Sequence, residues 1–234
     1  ILRVCALALL ACASSLPAFA KPKQVIILRH GEKQNDFALC QVGIDRSLAL
    51  ATQYLGNGGK LSLFPPGEKP VAFLAITLHT LELASPAAAT WELPVTTFSS
   101  VPLPGIDLTP QLNLRTQQAY GALMNDPRYD GRIVVMVWEH HHIADRALEL
   151  KFPDQKVTLR QLFNLDKLKD VPETWPAQNY DYFWIVEYGA SGDVPTRFTM
   201  VKQEFGADYD VPDNDWGEPN GLDKASDCDL KGAD

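Results

Sequence analysis

Apolar residues along this chain fall into short unbroken runs, and stretches with helical spacing lie between the runs. Gln24-Val25-Ile26-Ile27-Leu28 is the first run, rich in β-branched residues and flanked by polar ones. A run of that kind predicts a strand buried on both faces. From Gly43, the positions Ile44, Leu48, Ala51 and Leu55 recur at helical spacing, until the glycines at 56, 58 and 59 predict a stop. Val71-Ala72-Phe73-Leu74-Ala75-Ile76 predicts a second buried strand, followed by a helix over Thr80 to Trp91 in which Pro86 is a local problem. Pro94 to Pro110 reads mostly as loop, after which Thr109 caps a predicted helix from Pro110 to about Met124. Arg132 to Trp138 predicts a third strand, with a helix following Glu139-His140-His141-His142 to about Lys151. Tyr182 to Glu187 and Phe198 to Val201 complete the strand-like runs.

Strands alternating with helices predict an α/β fold, a mostly parallel sheet covered on both faces in three α/β/α layers. Ligands of such sheets sit beyond the carboxyl ends of the strands. Arg29-His30-Gly31 and Glu139-His140-His141-His142 both fall at strand ends, which predicts that His30 and His140 meet across more than a hundred residues of chain.

The 234 residues are 46% apolar, enough for one sizeable core. The net charge of -8 argues against a nucleic-acid or anionic-membrane binder, so any phosphate site has to be a small, focused pocket. Residues 1–20 read as an export signal: Arg3, an apolar run too short to span a bilayer, and Ala18-Phe19-Ala20 before Lys21. The predicted location is therefore the periplasm or the exterior, with no transmembrane segment once the signal is removed. Leu9-Leu10-Ala11-Cys12 offers an alternative, a lipoprotein anchored through Cys12. The organisation expected is a signal over 1–20, one domain over 21–205 and an Asp-rich tail over 206–234.

Cleavage after Ala20 would leave Cys40 and Cys228, a pair compatible with a disulfide in an oxidising compartment and equally with two separate thiols. Without a Cys-x-x-Cys, and with three consecutive histidines unable to face one ion, no metal site or other cofactor is expected. In the tail, Asp213-Asn214-Asp215 to Asp223 and Ser226-Asp227-Cys228-Asp229 form one degenerate aspartate-rich unit, compatible with weak calcium binding or with a solvated acidic tail.

Arg-His-Gly at a strand end combines a cationic fork, an imidazole able to attack phosphorus and a residue that lets the backbone approach. The strand with Arg29-His30-Gly31-Glu32-Lys33 resembles the signature of the histidine phosphatase (phosphoglycerate mutase-like) superfamily. Gly43-Ile44-Asp45-Arg46-Ser47-Leu48-Ala49 is similar to its small-residue helix, and Val134 to His140 to the late strand ending in a second catalytic histidine. Residues 24–205 are covered by the resemblance. It implies a phosphoglycerate mutase-like sheet and a phosphomonoesterase forming a phosphohistidine on His30. His140 would be a second catalytic residue, and Glu139 the first candidate proton donor, ahead of Asp107 and Glu82. The partner implied is a phosphorylated small molecule or inorganic phosphate. Arg29 is the implied phosphate ligand, with Arg46 and His79 as further candidates.

One position departs from the pattern. His79 stands where the resemblance leads one to expect a second phosphate-binding arginine, and an imidazole lacks the guanidinium fork. Arg46, Arg115 or Arg146 would have to supply that charge. The alternative is a catalytically silent member of the fold serving as a binding or structural module.

Overall fold

The computed structural model describes residues 21–190, 192–219, 222 and 227–229. The expected export signal, the Cys12 anchor, Asp223 and Ser226 lie outside the described residues. Among the described residues, six strands form one sheet: β1 (Gln24–Arg29), β2 (Pro70–Ala75), β3 (Val95–Thr97), β4 (Ile133–Trp138), β5 (Tyr182–Glu187) and β6 (Arg197–Lys202). Their spatial order is β3-β2-β4-β1-β5-β6. The first four in that order run parallel, and β5 and β6 close one edge antiparallel. The short edge strand β3 falls inside the stretch read as loop, because three residues are too few to show a period.

The unbroken apolar runs are explained by coverage of both faces. On one face, alternate residues Ile26 and Leu28 of β1 and Val135 and Val137 of β4 pack against α1 (Gln41–Leu50) and α2 (Leu78–Thr90). The other face presents Val25, Ile27, Val134, Met136 and Trp138 to α3 (Thr109–Asn125), to α4 (His140–Ile143) and to α6 (Leu159–Leu162). Between the last two lies α5 (Arg146–Lys151). The three-layer α/β/α sandwich is thus the observed architecture. The single helix predicted from Gly43 to Leu55 is α1 continued by a π-helical turn over Ala51–Leu55. Thr109 lies inside α3, whose cap position is Leu108. Helix α2 runs through Pro86, which leaves the Glu82 carbonyl without its helical donor.

Two glycines set the approach of α1 to the loop after β1. A Cβ on Gly43 would overlap the carbonyl oxygen of Glu32, and one on Gly31 would come within 3.2 Å of the Gly43 Cα. The close approach fixes the loop that carries His30, which is why small residues are needed at both places.

The Asp-rich stretch is more than a solvated tail. Trp216 stacks edge-on to Trp175 and Tyr182, and Asn214 is buried. Asp213 and Asp215 both pair with Lys202 Nζ, at 2.7 and 2.8 Å. Cys228 forms a disulfide with Cys40, beside the first turn of α1, across 188 residues. Asp227, next to it, accepts from the backbone N–H of Gln41. Among the described residues, no helix is long and apolar enough to cross a membrane.

Candidate active site

Strand register assembles the site. Arg29, the last residue of β1, lies opposite Trp138, the last of β4, and the His30 N–H donates to the Trp138 carbonyl at 3.1 Å. Side chains alternate along extended backbone. One residue beyond that register pair, His30 and Glu139 therefore both turn toward the face that carries α2. Strand β2, on the far side of β4, ends at Ala75 and feeds the turn in which Thr77 precedes α2. Thr80 Oγ1 accepts from the Thr77 N–H at 2.8 Å and fixes that turn, which sets His79 in the first turn of α2.

Glu139 bridges two imidazoles. Its Oε1 is 2.5 Å from His79 Nε2 and accepts from Thr77 Oγ1 at 3.1 Å, while its Oε2 lies 3.3 Å from His30 Nε2. The rings of His30 and His79 meet edge-on with centroids 4.7 Å apart, and His140 is 6.1 Å from His30. One pocket thus holds His30, His79, Glu139 and His140, all of them buried.

His30 is held in one tautomer. Its Nδ1 lies 2.6 Å from the carbonyl oxygen of Gly31, an acceptor that can only be met by an N–H, so the lone pair is on Nε2. Burial pushes the imidazole down to about 3; Glu139 pulls the other way and Arg29 adds to the lowering. At neutral pH, His30 is therefore an uncharged base whose lone pair on Nε2 faces the Arg29 guanidinium. Burial likewise holds His140 well below the ordinary range, and neither of its ring nitrogens has a partner among the described residues. For Glu139, burial favours the neutral acid, but the imidazoles of His30 and His79 overcome it and hold the carboxyl well below its usual range.

Arg29 is fully buried, its guanidinium 4.0 Å over the Tyr180 ring. Its Nη1 donates to the carbonyls of Ala177 and Asn179, the latter at 3.1 Å, and its Nη2 faces His30 Nε2 at 3.3 Å. The Nε–H has no partner among the described residues.

Arg46 is placed differently. It too is buried, with Nε and Nη2 on the Glu32 carboxylate, Nη1 on Asp181 and Gln203, and Nη2 also on the Pro212 carbonyl. Burial alone would lower its pKa, but Glu32 and Asp181 raise it. All five N–H groups of a guanidinium are thereby matched to protein acceptors. This arrangement makes Arg46 a structural tie, with Glu32 of the first motif as its principal partner. The other two candidate arginines do not join the cluster: Arg115 bonds to Gln118 on its own helix, and Arg146 is exposed 3.9 Å from Glu149. Among the other candidate acids, Glu82 accepts from the Leu39 N–H at 2.8 Å and Asp107 from the Thr109 N–H at 2.9 Å. Asp107 is exposed, and both are occupied in fixing backbone.

Among the described residues, two groups have ligand atoms close enough for a metal ion, each set within 4.8 Å: His30, His79 and Glu139, and Cys40, Asp227 and Cys228. The second is discounted because both sulfurs are in the disulfide. In the first, the Arg29 guanidinium points at His30 Nε2, the atom a metal would need, and a fixed cation there favours an anion over a second cation.

No protein-family model matches the chain, and no curated protein matches it. Solved structures of similar fold do exist. One is a mycobacterial hydrolase, at 13% identity over 80% of this chain and 94% of that chain, with a TM-score of 0.43. Another is a mycobacterial glucosyl-3-phosphoglycerate phosphatase, at 15% identity over 77% and 98%, with a TM-score of 0.43. A third, an open-reading-frame product of Mycobacterium tuberculosis, is 14% identical over 77% and 97%, with a TM-score of 0.39. Likeness at this level carries no weight for function, which has to be read from the geometry of the cluster itself.

Thr77, Tyr180 and Asp181 also belong to the site or its support, and the sequence pattern does not single them out. Thr77 is hidden in a helix approach, and Tyr180 and Asp181 sit ahead of β5 in a stretch without periodicity.

Proposed function

We propose that the protein is an exported phosphomonoesterase of the histidine phosphatase superfamily, working through a phosphohistidine on His30. The observation that carries this reading is the state of His30: a neutral imidazole whose Nδ1–H is tied to Gly31 and whose Nε2 faces a buried guanidinium. In the first step, the Nε2 lone pair attacks phosphorus and the bond from phosphorus to the ester oxygen breaks. The departing oxygen takes the proton shared between His79 Nε2 and Glu139 Oε1, a shared hydrogen bond that supplies a donor although Glu139 rests as a carboxylate. In the second step, water attacks the phosphohistidine, gives a proton back to that pair and releases inorganic phosphate.

Charge favours the first step. The Nη2 and partnerless Nε–H of Arg29 supply fixed donors in a buried site, where such groups are worth most because they need no reorganisation. The unpartnered nitrogens of His140, beside His30, suit further contacts to phosphoryl oxygens. Export is supported by the Cys40–Cys228 disulfide, since such bonds persist in oxidising compartments. A lipid anchor at Cys12 is the alternative form of the same location.

The second reading, a silent fold, is favoured by one observation. With Arg46 tied to carboxylates and an imidazole at position 79, Arg29 is the one guanidinium against His30 among the described residues. Turnover of 4-nitrophenyl phosphate by the mature chain separates the two. The expected result is measurable hydrolysis, an acid-labile and base-stable phosphoprotein after rapid quench, and loss of both in a folded His30→Ala protein. A folded wild-type chain with neither turnover nor phosphoprotein would establish the silent reading.

A further inference from the structure

Beside the imidazole cluster lies a cleft of about 470 Å³ whose floor is Thr77, His79 and Glu139. In the proposed reaction the ester oxygen departs toward the His79–Glu139 pair, so the group attached to that oxygen has to occupy this cleft. The walls differ from ordinary protein surface. Phe37, Leu103 and Ile106 line it at 51, 56 and 52% exposure, with Leu112 of α3 behind them. Large apolar side chains left half in water around one concavity mark a ligand-binding surface. Among the described residues, polar side chains on the walls are confined to Lys33 and Asp36, of opposite charge, and Pro102 and Pro104 bring no backbone N–H.

The apolar wall is held in place. The loop carrying Leu103 and Ile106 is pinned at one end where the Ser100 N–H donates to the Ile76 carbonyl at 3.1 Å. It closes on itself by the Ile106 N–H to the Leu103 carbonyl, also at 3.1 Å, and passes into α3 by the Leu112 N–H to the Leu108 carbonyl at 2.9 Å. A sugar or glycerol moiety in this cleft could pair with Lys33, Asp36 and the polar floor, but its hydroxyls turned to Phe37, Leu103 and Ile106 would meet side chains with no donor or acceptor, a mismatch that lowers its affinity. An alkyl or aryl group would instead cover the apolar wall and gain from its removal from water.

We infer that the physiological substrate is the phosphomonoester of an apolar alcohol or phenol, whose hydrocarbon part binds against Phe37, Leu103 and Ile106. The inference rests on the phosphatase reading for the direction in which the leaving group points.

Two measurements on the full mature chain test it. Calorimetry with ethyl-, butyl- and hexylphosphonate, which cannot be hydrolysed, reads the cleft without any need for turnover. The affinity is expected to rise by about twofold to fourfold per methylene, hence by about tenfold or more over the four methylenes from ethyl to hexyl. The corresponding alkyl phosphates, whose leaving groups are of similar intrinsic reactivity, should show kcat/KM rising in the same order, with glycerol 1-phosphate near the bottom. Leu103→Asn and Ile106→Asn, both at exposed positions, should flatten each series, with a loss that grows with chain length. Phosphonate affinity independent of chain length, or a preference for glycerol 1-phosphate over butyl phosphate, overturns the inference and leaves the phosphatase reading standing. Chain-length-dependent phosphonate binding without turnover of any ester supports the apolar cleft and defeats the phosphatase reading instead.

Discussion

At the scale of single residues, two buried arginines of similar sequence promise have opposite tasks, decided by what surrounds each. Arg29 keeps Nε and Nη2 clear of protein carboxylates and turns the latter to His30. Arg46 is saturated by Glu32, Asp181, Gln203 and Pro212. Removing one partner of a buried ion cluster leaves the others charged and unpaired, which costs more than the cluster itself contributes. Arg46→Met is accordingly expected to lower the unfolding free energy by about 3–5 kcal/mol, measured by urea denaturation monitored by tryptophan fluorescence. A loss below about 1 kcal/mol would mean that the guanidinium is not the tie described, because an exposed pair is worth no more than that.

Among the elements, the packing of α1 against the loop after β1 is the contact that positions the nucleophile. Gly43 is in the first turn of α1, and its Cα hydrogens face the Glu32 backbone, where there is no space for a methyl group. The obstacle is a backbone carbonyl, which cannot rotate aside as a side chain would. Gly43→Ala has to push α1 away from the loop, and it should destabilise the fold by roughly 1–3 kcal/mol even though alanine is the better helix former. The displacement should also disturb His30, so the lowered thermal midpoint is expected together with a fall in turnover of the folded fraction. A variant as stable and active as the parent would show that the approach of α1 has room to relax.

For the whole molecule, three of the four buried imidazoles, those of His30, His140 and His142, make stability depend on pH in a defined direction. Burial lowers His30 to about 3 and His142 to about 4, and holds His140 well below the ordinary value near 6.5. In each case the unfolded chain takes up a proton at a pH where the folded one does not. Their contribution is therefore complete above about pH 6.5 and is lost as pH falls toward the folded values. Each contributes up to about 1.4 kcal/mol per pH unit within that window. Glu139, held low in the folded state, acts in the same sense below about pH 4.5. Denaturant midpoints should be flat from about pH 8 to 7 and fall steeply between about pH 6 and 4.5. A flat midpoint across that range would mean that these histidines are open to water. The same values keep His30 neutral in mildly acidic solution, so kcat/KM of the folded protein should show no fall at about pH 6.5 from titration of the nucleophile.

Much of this molecule is legible in one dimension. Runs such as Val25 to Leu28 and Val134 to Trp138 specify strands buried on both faces, because only such strands need apolar residues at consecutive positions. With helical stretches between them, they determine a mostly parallel sheet, and hence the edge at which His30 and His140 meet. What tertiary structure alone decided is which neighbours each polar group found. The sequence leaves open which side of the strand end Glu139 faces. It shares a face with His30, because the alternation runs from the Arg29–Trp138 register pair, and register is a property of two strands together. Position 79 carries an imidazole in the sequence, but its bond to Glu139 exists only because β2 and β4 are neighbours. Arg46, Asp181 and the aspartate-rich stretch with Trp216 have no periodicity to betray them, and burial of a charge depends on partners distant in sequence. Local pattern fixes where the backbone goes, whereas the charge, tautomer and task of a side chain are fixed by the groups that folding brings against it.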